Sequence, residues 1–412
     1  MLRFALVWML VTAVAFGCAQ SKVEETAIDL GPDYSRPLPP GQSALRLITD
    51  MSLMPDLAGA YRNRDVFLLE AIDQSLKWFE APSSKQWFPF EGITHEQARA
   101  SVREFGRLVE SAANEQEFVR EFHRRFNVYQ SVGYNGEGVV LFTGYYSPIF
   151  NASRTRTSRF NHPLYTRPDD LATDPRTGEP QGRRMPDGSV RPYATRAEIE
   201  SSRMFQGSEL VWLEDALSAF IIHVNGSAKL RLGGDEIMHV GYAGKTDRPY
   251  TGLGASMVAE GLLTRNQLGL PAIRRMYRQQ PAKVEELILR NENYVFFTEY
   301  RGDNWPAGSL GVRVTRESSL ATDKRIYPRG GIVLADTQAV TFSQGRRQFL
   351  RFMLDQDTGG AINAPGRADI FMGVGLDAEI LAGGQYAEGR LYYIVLKPDQ
   401  VSPGSAVAGA GF

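Results

Sequence analysis

The chain has 412 residues, 43% of them apolar and 23% charged, which is enough apolar material for one to three packed domains. Lysine plus arginine number 46 and aspartate plus glutamate 47, a balance that argues against a nucleic-acid binder or a polybasic membrane-surface protein. A single cysteine, Cys18, excludes an intrachain disulfide and a cysteine-built metal site.

Residues 1–18 carry one arginine, then an apolar run, then small residues. This pattern predicts a secretory signal peptide, too short and wrongly flanked for a membrane span. Cys18 at its end resembles the lipidated cysteine of a bacterial lipoprotein, and Ala19 after it goes with an outer-membrane destination in such proteins. Residues 19–49 are polar, with Gly31-Pro32, Pro37 and Pro39-Pro40-Gly41, and predict a tether.

Helices follow. Val66, Leu69, Ile72, Leu76 and Phe79 recur at helical spacing before Pro82. Thr94 with Gln97, and Asn114 with Glu117, are spaced as capping boxes that open two more helices. Residues 50–130 therefore predict a helical support. The texture then changes to a strand over residues 139–148 that holds Thr143, Gly144, Tyr145 and Tyr146 before Pro148. Paired tyrosines in such a strand serve either as sheet core or as sugar-facing rings with hydroxyl handles.

Residues 150–195 are basic and read as loops. Arg154, Arg156 and Arg159 suit either a solvated face or the carboxylates of an acidic ligand. His223 and His239 have no partner at metal-ligand spacing. Residues 255–290 return to helix, with Pro281 opening the last one. From Asn291 onward, short strands alternate with Gly/Pro turns and predict a small β-barrel.

The stretch 356–397 holds two carboxylates in unusual settings. Asp357 opens a Thr-Gly-Gly turn, and Asp369 sits between Ala368 and Ile370-Phe371. A carboxylate among apolar residues can be held protonated by desolvation and act as a general acid. An aspartate before Gly-Gly is also a common turn residue. On these grounds Asp357 reads first as a turn former and Asp369 stays open.

Residues 319–330 with Asp323, then Asp357-Thr-Gly-Gly360 and Asp369, resemble in order and spacing the C-terminal three-aspartate domain of the membrane-bound lytic murein transglycosylase A family. Thr143-Gly-Tyr-Tyr146 with Pro148 is similar to a second signature of that family. The block 209–254 is similar to a third, with Asn225-Gly-Ser227-Ala228 in place of Gln-Gly-Ser-Gly. The resemblance implies a mainly β protein with helical support. A double-psi β-barrel (residues 50–145 and 292–412) would flank a groove with a smaller inserted β-domain (residues 146–291).

It further implies cleavage of the β-1,4 MurNAc-GlcNAc bond of peptidoglycan with a 1,6-anhydromuramyl product. Asp369 would be the lone acid/base, supported by Asp357 and Asp323. Thr143, Gly144, Tyr145, Tyr146, Asn225, Ser227, Gly359 and Gly360 would meet substrate. No cofactor, metal or nucleic acid is expected. The expected setting is the periplasm, with a lipid anchor in the outer membrane and peptidoglycan strands and other cell-wall enzymes as partners. Two rival readings are a glycoside hydrolase using Asp357 and Asp369 together, and a non-catalytic peptidoglycan-binding lipoprotein.

Overall fold

The structure is a computed structural model that describes residues 32–175, 177–264, 267–343 and 345–401. The leader, Cys18 and the first part of the tether lie outside the described residues.

Strand β1 (Leu45–Leu47) precedes α1 (Leu57–Arg62), α2 (Val66–Glu80), α3 (His95–Ser111) and α4 (Glu115–Arg125). Side chains cap the last three: Asp65, Thr94 and Asn114 accept from first-turn backbone N–H groups. The two predicted capping boxes are half formed. Gln97 Nε2 donates instead to the Leu396 carbonyl at 2.8 Å, and Glu117 accepts from Ala113 N, one residue before the cap. The buried stripe of α2 runs through Leu68, Ala71, Ile72, Ser75, Trp78 and Phe79. Val66, predicted for that face, is 65% exposed, because two residues from Leu68 is nearly opposite it on the helix.

Strands β2 (Phe126–Ser131) and β3 (Val140–Ser147) follow. The chain then builds β4 (Ile149–Ser153), β5 (His162–Tyr165), β6 (Leu171–Thr173), β7 (Pro180–Arg184) and β8 (Val190–Arg191). Next come α5 (Arg196–Ser201), β9 (Glu209–Leu213), α6 (Ala216–Asn225), β10 (Ser227–Gly233) and β11 (Glu236–Lys245). Helices α7 (Leu253–Ala259), α8 (Leu270–Gln279) and α9 (Pro281–Leu289) lead to β12 (Val295–Tyr300). One sheet has the order β12-β11-β10-β4-β9-β5, and β6-β7-β8 form another.

The segment read as basic loops thus contains five short strands, whose two to five residues are too few for a period-two pattern to register. Two of its three singled-out arginines are ion-paired, and Arg156 lies over the Trp212 ring. Arg154 meets Glu236 at 2.9 Å and Glu299 at 3.5 Å, and Arg159 meets Glu214 at 2.6 Å. This is the solvated-face arrangement rather than a set of free cations.

The C-terminal region supplies β13 (Ser319–Ala321), β14 (Ile332–Thr341), β15 (Gly345–Asp357), β16 (Arg367–Val374), α10 (Leu376–Gly384) and β17 (Tyr386–Leu396). The expected short strands are in fact up to 13 residues long. Strands β17, β14, β15, β13, β16 and β3 hydrogen-bond in that order, and β3 pairs back to β17, closing a six-stranded barrel. β17 serves two partners: residues 386–389 pair with β3 and residues 392–396 with β2.

Alternation along the barrel strands divides their side chains between two cores. Val333, Met353, Ile370, Phe142 and Leu391 share one apolar cluster. Ile332, Leu334, Phe352, Leu354 and Ile394 join the cluster formed with α1–α4. Helix α6 is apolar on both sides. Leu217, Phe220 and Ile221 join the barrel-side cluster, and Ala219 and Ile222 the cluster of the β4–β12 sheet. It therefore locks that sheet to the barrel beside β3.

Candidate active site

The site is a row of residues that cross-strand register puts side by side. Asp357 on β15 pairs with Ala321 on β13, Ala321 with Asp369 on β16, Asp369 with Thr143 on β3, and Thr143 with Tyr386 on β17. The row depends on one extra residue. Leu320 pairs with Asp355 while its neighbour Ala321 pairs with Asp357, so Gln356 is bulged out of the β13–β15 ladder. Gln356 is held by α2, with Nε2 donating to the Ala71 carbonyl at 2.7 Å and to Ser75 Oγ at 3.0 Å. Asp355 is fully buried, bonded to Lys324, Thr322 and Tyr393. Strand alternation alone would send Asp357 to the same side as Asp355, whereas the bulge brings it level with Asp369. Two strand spacings put their Cα atoms about 10 Å apart.

The two carboxylates differ in their partners. Asp357 Oδ1 accepts from Ser309 N and Thr358 N, each at 2.8 Å, and its Oδ2 from the Tyr145 hydroxyl at 2.8 Å. Asp369 accepts on Oδ1 from the Thr143 hydroxyl, and no described residue hydrogen-bonds its Oδ2. Burial pushes both above the usual carboxylate range. For Asp369, the Arg367 charge and the Thr143 hydrogen bond oppose it. For Asp357, the backbone N–H of Ser309, Tyr145, the backbone N–H of Thr358 and Lys324 oppose it. Desolvation also drives the Tyr145 phenol well above its ordinary value, helped by the adjacent Asp357 charge.

Asp323 is tied into the fold. It accepts from Arg325 N at 3.0 Å, Arg325 Nε at 2.9 Å, Arg325 Nη2 at 2.7 Å and Ala364 N at 2.9 Å. Burial works to raise its pKa, but Arg325 and the two backbone N–H groups prevail and hold it low. It thereby fastens the loop that carries Gly359 and Gly360.

The other sequence-predicted residues divide. Gly144 is a packing requirement, since a Cβ there would lie 2.9 Å from Ala382 Cα on α10. Tyr146 is buried, and its hydroxyl donates to Glu379 Oε2 at 2.9 Å. Asn225 Oδ1 accepts from Tyr146 N at 3.4 Å and its Nδ2 donates to the Ile221 carbonyl at 2.8 Å. Ser227 is buried, and its hydroxyl bonds Ser147 Oγ at 2.7 Å, joining β10 to the end of β3. Gly360 faces Lys245 across the site, and a Cβ there would lie 3.8 Å from Lys245 Nζ.

Beside the row lies a mostly apolar pocket of about 260 Å³. Gly144 and Tyr146 form one wall, α6 another through Leu217 and Asn225, and Tyr250 and Ala382 complete it. Among the described residues no group of three His, Cys, Asp or Glu side chains is placed to hold a metal. His223 is buried, with Nδ1 accepting from Val295 N at 3.2 Å, and His239 stacks on Trp305 at 4.2 Å.

Residues 141–298 match the MltA specific insert domain and residues 318–395 the 3D domain. The membrane-bound lytic murein transglycosylase A of Vibrio cholerae is 30% identical over 271 residues, 64% of this chain and 68% of that protein. The chain belongs to the membrane-bound lytic murein transglycosylase A family. The Escherichia coli K12 member is 29% identical over 282 residues, 67% of this chain and 71% of that protein. Two solved structures share the fold. A membrane-bound lytic murein transglycosylase from Agrobacterium tumefaciens has a TM-score of 0.68 at 24% identity, covering 83% of this chain and 95% of its own. E. coli MltA with bound chitohexaose has a TM-score of 0.64 at 23% identity, covering 89% and 96%.

Within this family member, sequence reasoning passed over Arg367, Tyr250 and Lys245. Arg367 had a readable signal: it precedes Asp369 by two in a strand, so both belong to one side. Tyr250 and Lys245 reach the site only through the folding of the β4–β12 region, which local pattern does not reveal.

Proposed function

We propose that the protein cleaves the β-1,4 bond between N-acetylmuramic acid and N-acetylglucosamine in peptidoglycan without adding water, and that Asp369 is both the acid and the base. Family membership supplies the substrate class. The observation that carries the single-aspartate reading is the free Oδ2 of Asp369, beside an Asp357 whose two oxygens are already occupied.

Protonated Asp369 gives its proton to the glycosidic oxygen as the bond to C1 breaks, and C1 gains oxocarbenium character. The C6 hydroxyl of the same muramyl residue attacks C1. Its proton passes to the Asp369 carboxylate, which is restored to the acid, and a 1,6-anhydro ring closes. Nucleophile and electrophile lie on one sugar, so the attack has a large effective-molarity advantage. A hydrolase would need a second carboxylate free to activate water or to attack C1. Asp357 instead orders the Thr358-Gly359-Gly360 turn and Tyr145. The groove wall on this reading is Thr143, Gly144, Tyr145, Gly359 and Gly360, with Tyr146 and Asn225 at the apolar pocket. The insert of residues 146–291 forms the facing side.

A lipid on Cys18 would hold the enzyme in the outer membrane beside its glycan and other cell-wall enzymes. A Cys18→Ser variant should then appear in the soluble periplasmic fraction.

Mass spectrometry of peptidoglycan digested by the chain lacking residues 1–18, beside its Asp369→Asn variant, tests the chemistry. Anhydro-muropeptides from the first alone are expected. Products heavier by one water would make it a hydrolase. Wall binding without products from either form would make it a scaffold.

A further inference from the structure

Arg367 is a charged residue whose placement the chemistry above does not use. Its Nη2 donates to Thr143 Oγ1 at 3.1 Å. Its Nε is buried with no acceptor, and among the described residues its guanidinium forms no salt bridge. A cation held without a counter-ion is costly unless an anion forms nearby.

The hydrogen bonds around it run in one direction. A guanidinium has donors and no acceptor, and it keeps its proton in proteins. Thr143 Oγ1 therefore accepts from Arg367, and its single proton goes to Asp369 Oδ1. With Oδ1 held as an acceptor, the carboxyl proton belongs on Oδ2, the oxygen with no protein partner.

We propose that Arg367, acting through Thr143, is a positioning residue that assigns the acid proton to Oδ2 of Asp369 and stabilises the carboxylate formed when that proton leaves. The proposal rests on Asp369 being the acid/base. The groups around Asp369 are Thr143 and Tyr145 from β3, Ala321 from β13 and Tyr250 from the segment before α7; Tyr386 of β17 lies one strand further on, paired with Thr143. Asp357 is reached through Tyr145. Of the cations, Arg367 is the one that acts on Asp369, working against its burial. Removing it raises the pH at which Asp369 loses its proton.

The experiment measures kcat, KM and the pH profile on one peptidoglycan preparation for wild type, Arg367→Met, Arg367→Lys, Thr143→Val and Thr143→Ser. Asp369→Asn serves as control, and thermal melting confirms that each variant is folded. Arg367→Met should lower kcat roughly tenfold to a hundredfold with KM little changed, and move the alkaline limb up by about one pH unit. Arg367→Lys should recover part of both effects. Thr143→Val should lose kcat and shift the alkaline limb as Arg367→Met does, and Thr143→Ser, which keeps the hydroxyl, should lose less of both. An unmoved alkaline limb, or an effect confined to KM, overturns the positioning role. Activity surviving in Asp369→Asn overturns the acid/base reading itself, and the proposal with it.

Discussion

Asp357 and Asp369 stand on opposite sides of Ala321, each paired with it across one strand of the barrel. The same geometry gives them different lives. Three donors hold Asp357, while Asp369 is held at one oxygen and open at the other.

The two asparagine variants should therefore separate. Asp369→Asn keeps the Thr143 contact but has no proton to give, so activity should fall by about a thousandfold or more. Asp357→Asn still offers a carbonyl to Ser309, Thr358 or Tyr145, and should cost about tenfold with the anhydro product unchanged. Rates on purified peptidoglycan decide it. Equal losses, or hydrated products from either variant, would bring Asp357 into the chemistry.

Stability should respond to pH in opposite senses at two of the aspartates. Asp369 has its pKa raised by burial, so the folded state holds a proton that the unfolded state has already lost. Its contribution is fully present below the unfolded value near 3.8 and declines as pH rises toward the folded value. Asp369→Asn removes that decline. The variant should melt above wild type at pH 7, with the difference shrinking toward pH 3.5. Asp323 is lowered, so its contribution is present above the unfolded value and is lost as pH falls through the folded one. Asp323→Ala should melt below wild type at pH 7 and approach it in acid. Calorimetry at pH 3.5, 5 and 7 reads both; a pH-independent offset at either site would contradict the assignment.

What the sequence disclosed follows from range. Helices α2–α4 announced themselves because their caps and apolar stripes lie within one element. Asp369 stood out because an aspartate flanked by apolar residues is locally odd. The resemblance already joined it to Asp357, but their side-by-side alignment across Ala321 was not legible, because it depends on the Gln356 bulge, which α2 holds from some 280 positions away. Strands β4–β8 were missed because so few residues each carry no period. Ser227 entered the expected substrate contacts only through the resemblance of its block to the family motif, and nothing local to it foretells that its hydroxyl closes onto Ser147.

Two site glycines should behave differently. A Cβ on Gly144 would press on Ala382 Cα at 2.9 Å and on Gln385 Cβ at 3.1 Å, so α10 would have to leave β3. Gly144→Ala should cost about 1–3 kcal/mol and distort the apolar pocket. Gly360→Ala meets nothing nearer than Lys245 Nζ at 3.8 Å and should leave stability within about 0.5 kcal/mol. Denaturant titration of the pair distinguishes a packing glycine from one kept for access; equal destabilisation would contradict that division.

The last prediction concerns how the barrel holds the helices that wall the pocket. Arg274 on α8 grips Glu379 on α10 with two hydrogen bonds, 2.9 and 3.0 Å, and Glu379 also receives the Tyr146 hydroxyl at 2.9 Å. The carboxylate side chain is 14% exposed and the guanidinium 28%, so water screens the pair weakly. Arg274→Met strips the carboxylate of its cation but leaves it enclosed, and should cost about 1–3 kcal/mol. Glu379→Leu leaves Arg274 and Tyr146 without an acceptor and should cost a similar amount. The double variant removes the charge and its partner together, so its loss should be smaller than the sum of the two. Because Tyr146 lies three residues from Thr143 on the same strand, the single variants should also lower kcat, and the double variant should recover part of it. A strictly additive cycle would mean that Arg274 and Glu379 act separately, and the latch between α8, α10 and β3 would have to be abandoned.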